Sequence, residues 1–386
     1  MKKPKIVVQY PFIALYRIPI FKKLFASERF DFIFWAGKES PDKYLKSAFD
    51  ESGLPIEEVP LKVFRVPIIN KALEFQLSAI AKLMRVRPDV YIILANPNSV
   101  TSWLCMLTAR VFGVRVLAWS HGFLSDEKGF KGHIRAFFYK IPHGHLLYGN
   151  RAKDIMVRKG FDPEKIDVIY NSLDYGKQSA LRNALGWDDR ANLRKKLNIP
   201  VNALVLVSIG RLMSKLKIDQ AIEAVKKMDQ QGKNVYLLVI GDGPEKTNLV
   251  QLASLLDVAD KVIFYGACHE EEVLAKLFNA SDVSVVMGKV GLSAMHSLGY
   301  GIPLLTNNNM DKHFPEIEVI KEGETGWFFE ENDIDDFVSK VKQIKYKDEI
   351  YEKCINAIEE HYTPEKQCQY IENAISQHFF GDNKCS

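Results

Sequence analysis

The sequence predicts an α/β protein of two successive doubly wound parallel-sheet units. Three observations predict it. Short runs of Val, Ile, Leu and aromatic residues alternate with helical stretches along the whole chain. The runs are apolar almost throughout, as in strands covered by helices on both faces. The rhythm breaks once, in the polar segment Tyr170–Asp189, and then restarts.

The first strand is expected at Lys5–Tyr10, then a helix around Ile18–Ala26 and a strand at Asp31–Ala36. A strand at Asp89–Ala95, a helix near Ser99–Phe112 and strands at Val114–Trp119 and His145–Gly149 follow. A helix from Arg151 to Lys159 ends at Gly160, a suitable C-cap. After the break, strands are expected at Leu204–Gly210, Val235–Gly241, Val262–Gly266, Val283–Met287 and Pro303–Thr306. Helices near Ile218–Met228, Glu245–Leu256, Glu270–Asn279 and after Gly291 connect them. From Asp333 to Phe379 the chain reads as mostly helical, with Thr363 as an N-cap and Pro364 at the first helical position. The expected division is a first domain at 1–172, an interdomain linker region at 173–200, a second domain at 201–362, and a C-terminal helix at 363–386 that packs back on the first domain. Two doubly wound units imply a cleft between them, with ligands at the carboxyl ends of the strands.

Hydrophobic residues make up 47% and charged residues 26% of the chain, a globular balance. No apolar run approaches the roughly 20 residues that span a bilayer. The basic start MKKPK leads into an interrupted apolar run, so it is read as a retained first strand, not a signal peptide. A cytoplasmic protein is expected, one able to sit on the inner face of the cytoplasmic membrane. The five cysteines are scattered and odd in number, which suits reduced thiols and no metal framework. About 30 Lys and Arg face about 19 Asp and Glu up to Arg190, and the balance reverses afterwards. With no nucleic-acid motif beside that charge, an anionic membrane face or a phosphate-bearing substrate fits better than nucleic acid. The stretch Phe130–Ile141 mixes cations with aromatics, as a helix on a membrane surface does; an ordinary buried helix is the alternative.

The residues that could carry chemistry each follow a strand. Gly210 turns the chain, and Arg211, Lys215 and Lys217 supply cations within seven residues, suited to a diphosphate. Gly241-Asp242-Gly243-Pro244 makes a second tight turn, structural or ligand-facing. Gly288 and Gly291 free the backbone to approach a ligand, and Lys289 adds a cation. The helix starting at Leu292 turns its unpaired amides toward an anion. His296 lies on that helix, either as a core residue or as a donor to a ribose hydroxyl. His121 ends a strand of the first half, where it can donate to a sugar oxygen or cap the next helix. Glu316 follows the strand at Pro303–Thr306, as a ligand-facing carboxylate or a surface residue. The first strand–helix turn lacks the glycines of a dinucleotide site, and no Walker A sequence or nucleophile elbow is present.

Taken in order, SIGRLMSKLKIDQAIEA, VIGDGPE, VIFYG, ASDVSVV, GLSAMHSLGYGIPLLT and EGETGWFF resemble the family 4 retaining glycosyltransferases of GT-B fold. The resemblance is strongest over Leu204–Phe329 and weaker over Trp119–Asp174. The start YRIPIFKKL resembles members that build bacterial surface polysaccharides. The resemblance implies that Arg211 and a lysine hold the donor diphosphate. The family's lysine position falls on Leu216, so Lys215 or Lys217 stands in, with the choice open. The family's two glutamates fall on Gly288 and His296, and Glu316 matches a late acidic position. The implied activity is metal-independent, retaining transfer of a hexose-type sugar from a UDP-, GDP- or dTDP-sugar to a glycan or polyprenyl-linked acceptor, with no other cofactor. Arg211, Lys217 or Lys215, and Glu316 would act on the diphosphate and its surroundings, and His121 on the donor sugar. Gly210, Gly243, Gly288, Lys289, Gly291, Leu292 and His296 would form the rest of the donor site. Two alternatives stand beside it: a non-catalytic nucleotide-sugar binding scaffold, which the missing glutamates suggest, and a sugar-nucleotide epimerase of the same fold.

Overall fold

The computed structural model describes residues 2–40, 46–66, 71–127, 129–344 and 348–380; Cys385 lies outside them. The chain divides into two compact units. The first comprises residues up to Leu173 together with those from Thr363 onward, and the second runs from Asp174 to Tyr362.

The first unit holds strands β1 (Lys5–Phe12), β2 (Asp31–Gly37) and β3 (Ile56–Glu58), the antiparallel pair β4 (Lys62–Val66) and β5 (Lys71–Phe75), then β6 (Val90–Leu94), β7 (Arg115–Ser120), β8 (Gly144–Leu147) and β9 (Ile166–Val168). Its helices are α1 (Ile18–Phe25), α2 (Ser78–Val86), α3 (Val100–Val111), α4 (Gly129–Tyr139) and α5 (Asn150–Arg158). The main sheet is parallel, in the order β3-β2-β1-β6-β7-β8-β9. Ser99 caps α3 by accepting from the Ser102 amide, and Gly160 takes a left-handed φ of 84° beyond α5. The pair β4–β5 has no counterpart in the sequence reading.

The second unit opens with α6 (Tyr175–Ala184) and α7 (Trp187–Lys196). Residues 173–200, expected as a linker, are thus mainly two helices. They form because Asp174 caps α6 through the Lys177 amide, and because the Asp189 carboxylate accepts from the Gly186 amide at the start of α7. Arg190 and Arg194 of α7 both pair with Asp282, with Arg194 at 2.8 Å. There follow β10 (Leu204–Ile209), α8 (Ile218–Gln230), β11 (Val235–Ile240), α9 (Lys246–Leu255), β12 (Val262–Gly266), α10 (Glu271–Asn279), β13 (Val283–Val286), α11 (Leu292–Gly299), β14 (Leu304–Asn307), β15 (Gly326–Phe329), α12 (Ile334–Gln343) and α13 (Asp348–His361). The sheet is parallel, in the order β12-β11-β10-β13-β14-β15. Every residue of β11 is buried, as a central strand covered on both faces requires. From β10 the chain winds one way to β12 and the other way from β13 to β15. The switch point therefore lies between β10 and β13, where open α/β sheets bind ligands.

The last helix, α14 (Pro364–Phe379), belongs to the first unit. Thr363 caps it by accepting from the Lys366 amide. Ile371, Ala374 and Ile375 share a core cluster with Ile20, Phe21 and Leu24 of α1, and Lys23 pairs with Glu365 at 2.8 Å.

His145 in β8 is 3% exposed, its ring edge-on to Tyr139 and Phe161. Burial lowers its pKa from 6.5 to about 4. The neutral form is favoured in the fold, so its contribution is complete above the unfolded value and is lost as pH falls through the folded one. Stability of the first unit should drop by roughly 3 kcal/mol on this account as pH falls from about 6.5 to 4. Urea titrations across that range check this, with His145→Phe flattening the decline.

Candidate active site

Four loops leave the carboxyl edge of the second sheet and pack on one another: 210–217 after β10, 241–245 after β11, 287–291 after β13 and 308–316 after β14. The Leu212 amide donates to the Asp242 carbonyl at 3.0 Å, and the Glu245 amide to the Leu212 carbonyl at 3.1 Å. A Cβ on Gly243 would lie 2.4 Å from the Leu212 carbonyl oxygen. A Cβ on Gly288 would lie 1.9 Å from that of Lys215 and 3.0 Å from the Leu216 Cα. Gly288 was expected to let a ligand approach, and Gly243 to be structural or ligand-facing. The close approach present is of chain to chain, and it clamps loop 210–217 between its neighbours. The same contact explains why no carboxylate stands at 288.

The cations of these loops fall into two groups. Lys217 has φ 53° and ends the short turn Ser214–Leu216. Its Nζ lies 2.9 Å from Glu331 and 2.6 Å from the Asn332 side-chain oxygen. Glu331 also accepts from Lys312 at 2.9 and 3.0 Å and from Asn309 at 2.6 Å, and these donors hold its pKa at about 2. Lys217 is therefore engaged within the protein. Arg211 begins the same loop and is exposed, as is Lys215. Lys289 is half-buried, its Nζ 3.5 Å from the centre of the Phe314 ring. Desolvation lowers its pKa first and the charge of Lys215 second, with Glu316 opposing. Lys215 and Lys289 thus feel each other across the switch point.

The floor is a polar stitch. His313 is 1% exposed; its Nδ1 accepts from the Val290 amide at 3.0 Å and its Nε2 donates to the Asn307 carbonyl at 2.9 Å. The Asn307 side chain donates to the Met287 and Gly288 carbonyls at 3.1 and 2.7 Å. The Phe314 amide returns to the Val290 carbonyl at 3.0 Å. Glu316, in the short turn Pro315–Val319, is 3% exposed. Its carboxylate is a buried counter-charge to Lys289, not a surface residue. Gly291 is the N-cap of α11, Leu292 its first residue, and no acidic residue lies in the first turn to compete for the helix dipole.

His296, on the second turn of α11, faces α6 and α10. Gln178 Nε2 donates to Glu271 at 3.0 Å and meets His296 Nδ1 at 3.2 Å. Nδ1 is therefore the acceptor, and the proton sits on Nε2. Burial lowers the His296 pKa and the Glu271 charge partly opposes it, so the ring is neutral near pH 7. Phe278 stacks at 6.4 Å, and Tyr300 donates to Glu271 at 2.7 Å. Of the two readings for His296, the core contact is present for Nδ1, while Nε2–H remains a hydrogen-bond donor.

In the first unit, His121 directly follows β7 and is half-buried, its ring 4.8 Å from that of Tyr148. The next amide, of Gly122, donates to Ser120 Oγ at 3.1 Å.

Sequence reasoning missed Gln178, Glu271, His313 and Glu331. Glu271 sits in an acidic run that reads as an ordinary helix start, and Glu331 lies 114 residues beyond its partner Lys217. His313, next to Lys312 in a short polar loop, offered the only local signal.

The family described as glycosyl transferases group 1 matches residues 189–361. The N-acetyl-alpha-D-glucosaminyl L-malate synthase of Bacillus anthracis is 24% identical over 211 residues, 52% of this chain and 51% of that protein. An O-antigen biosynthesis glycosyltransferase of Escherichia coli, WclY, is 29% identical over 147 residues, 37% of this chain and 38% of that protein. The chain thus spans about half or less of the length of these curated relatives. Among solved structures, Anabaena HepE in complex with UDP superposes with a TM-score of 0.72 at 15% identity, over 97% of this chain and all of that one. At that identity the likeness shows the fold.

Proposed function

We propose that the chain, whose residues 189–361 match the family described as glycosyl transferases group 1, moves a sugar, with retention at the anomeric carbon, from a nucleoside-diphosphate donor to a glycan or polyprenyl-linked acceptor in surface-polysaccharide assembly. One observation carries this reading: Lys215 and Lys289 are near enough to perturb each other at the switch point, beside Arg211 and the acid-free start of α11. Like charges gathered there without a carboxylate in the first turn suit an anionic ligand. A diphosphate brings about two negative charges and several acceptor oxygens. Transfer places further charge on the departing diphosphate, and fixed donors aimed at it lower the barrier. The charge of Glu316 opposes the lowering of the Lys289 pKa, and His296 Nε2–H is assigned to a ribose hydroxyl. HepE was solved with UDP and WclY is named for O-antigen biosynthesis, which makes a UDP-sugar the first donor to try and a surface glycan the acceptor class.

Incubation with UDP-, GDP- and dTDP-sugars, with and without a lipid-linked acceptor, tests this. Free nucleoside diphosphate with an extended glycan is the expected result. An isomerised donor would indicate an epimerase, and binding without turnover a scaffold.

The two loop lysines should separate. Lys215→Met should raise the donor KM about tenfold, the loss of roughly 1.4 kcal/mol of binding. Lys217→Met should leave that KM within about twofold and lower the melting midpoint, because it breaks the Glu331 network. Steady-state kinetics beside thermal melting distinguish them.

The acceptor reading extends to a lipid surface. Phe130, Ile134 and Phe137 of α4, at helical spacing, are 82%, 44% and 65% exposed. Lys131 and Lys140 flank them, and α4 carries no acidic residue. Such a face inserts apolar groups between anionic headgroups. Vesicles containing anionic lipid should co-sediment the protein, and Phe130→Ser with Phe137→Ser should abolish most of that binding.

A further inference from the structure

The first unit contains a buried cation with no acid beside it among the described residues. Arg17 lies in the short turn Leu15–Arg17 between β1 and α1 and is 6% exposed. Its Nη2 donates to the Tyr148 hydroxyl at 2.8 Å. Its guanidinium carbon lies 5.2, 5.4 and 5.9 Å from the rings of Tyr148, Tyr16 and Trp119. Among the described residues the titratable groups facing it are Tyr148, Tyr16 and Tyr10, and no carboxylate pairs with it. Arg17 Nη1 makes no hydrogen bond, nor does Trp119 Nε1.

Burying a guanidinium without a counter-ion is costly, and the aromatic faces offset only part of the cost. The orphaned groups of Arg17 and Trp119 are donors, and the Tyr10 hydroxyl, also without a hydrogen bond and with its ring 5.4 Å from that of Trp119, can donate as well. A buried water would satisfy their hydrogen bonds and leave the charge uncompensated; an oxyanion would satisfy both. The place agrees with a ligand. Trp119 is the next-to-last residue of β7, Tyr148 directly follows β8, and His121 lies against Tyr148, so the cluster stands at the carboxyl ends of parallel strands.

We infer that Arg17, Trp119 and Tyr148 form an oxyanion site in the first unit, which takes a phosphate or carboxylate group of the sugar acceptor. The assignment to the acceptor rests on the sugar-transfer reading; the anion site itself does not.

Thermal melting of the full chain tests it in an Arg211→Ala background, which removes a cation of the second unit. Inorganic phosphate and acetate are titrated at constant ionic strength, and the two arms separate phosphate from carboxylate recognition. At least one anion should raise the melting midpoint saturably. Adding Arg17→Gln should weaken that binding at least tenfold, and Arg17→Lys should retain most of it. Should Arg17→Gln fail to fold, Trp119→Phe removes only the indole N–H and should weaken the anion several-fold. No saturable effect of either anion, or one that survives both Arg17→Gln and Trp119→Phe, overturns the site. UDP affinity of the single Arg17→Gln variant should stay within about twofold of the unsubstituted protein. A tenfold loss there would give Arg17 to the donor and overturn the acceptor assignment. Absence of turnover on any donor would refute sugar transfer while leaving the melting result intact.

Discussion

Arg211→Ala lowers kcat/KM by about 10²–10³-fold, the scale of removing one fixed donor from a developing oxyanion. The melting midpoint stays within about 1 °C, since the side chain is exposed and surface substitutions change stability little. On the proposed sugar transfer the loss falls on kcat more than on the donor KM, because a leaving diphosphate gathers charge in the transition state. Arg211→Lys recovers only a small part, since an ammonium lacks the planar fork that meets two phosphate oxygens at once. Steady-state kinetics of the two variants, beside their melting curves, check each part.

Gly288→Ala has the second largest effect, and it acts through the scaffold. A methyl group there would lie 1.9 Å from the Lys215 carbonyl oxygen, a backbone atom with no rotamer by which to escape. Loop 210–217 must shift, which costs about 2 kcal/mol and lowers the melting midpoint by roughly 5 °C. The shift also moves Arg211 and Lys215, so donor affinity falls about tenfold or more. Gly288→Glu restores a carboxylate where the family carries its first glutamate, and it should be worse still. Gly186→Ala serves as the control, because a Cβ there meets nothing within 4 Å. Melting curves and donor titrations of the three variants separate packing from chemistry.

The sheets were legible because their strands are apolar on both faces: β11, VYLLVI, admits few other readings. Helices α6 and α7 were not. Helix α7 reads WDDRANLRKK, with no apolar stripe to announce a period, and its anchoring comes from Arg190 and Arg194 meeting Asp282 some ninety residues later. That Arg211, Lys289 and the start of α11 lie at the carboxyl edge of the sheet was legible, since each comes within six residues of the end of a buried strand. Lys215 and Lys217 could not be separated, because the choice depends on the left-handed turn at Lys217 and on Glu331. The environment of His296 was equally hidden, as Gln178 and Glu271 reach it from two other helices. Arg17 stands in the sequence as one of the residues interrupting the opening apolar run, and only the rings closing around it mark it as buried.

The central claim is that the donor diphosphate sits over the start of α11 among Arg211, Lys215 and Lys289. A crystal structure with bound UDP tests it most directly. The account predicts both phosphorus atoms within about 5 Å of the Arg211 guanidinium or the Gly291–Ser293 amides, with Lys217 still on Glu331, as expected for charge-assisted contacts. Phosphates lying elsewhere in the second unit, with Lys217 released to hold them and Lys215 pointing to solvent, would contradict it.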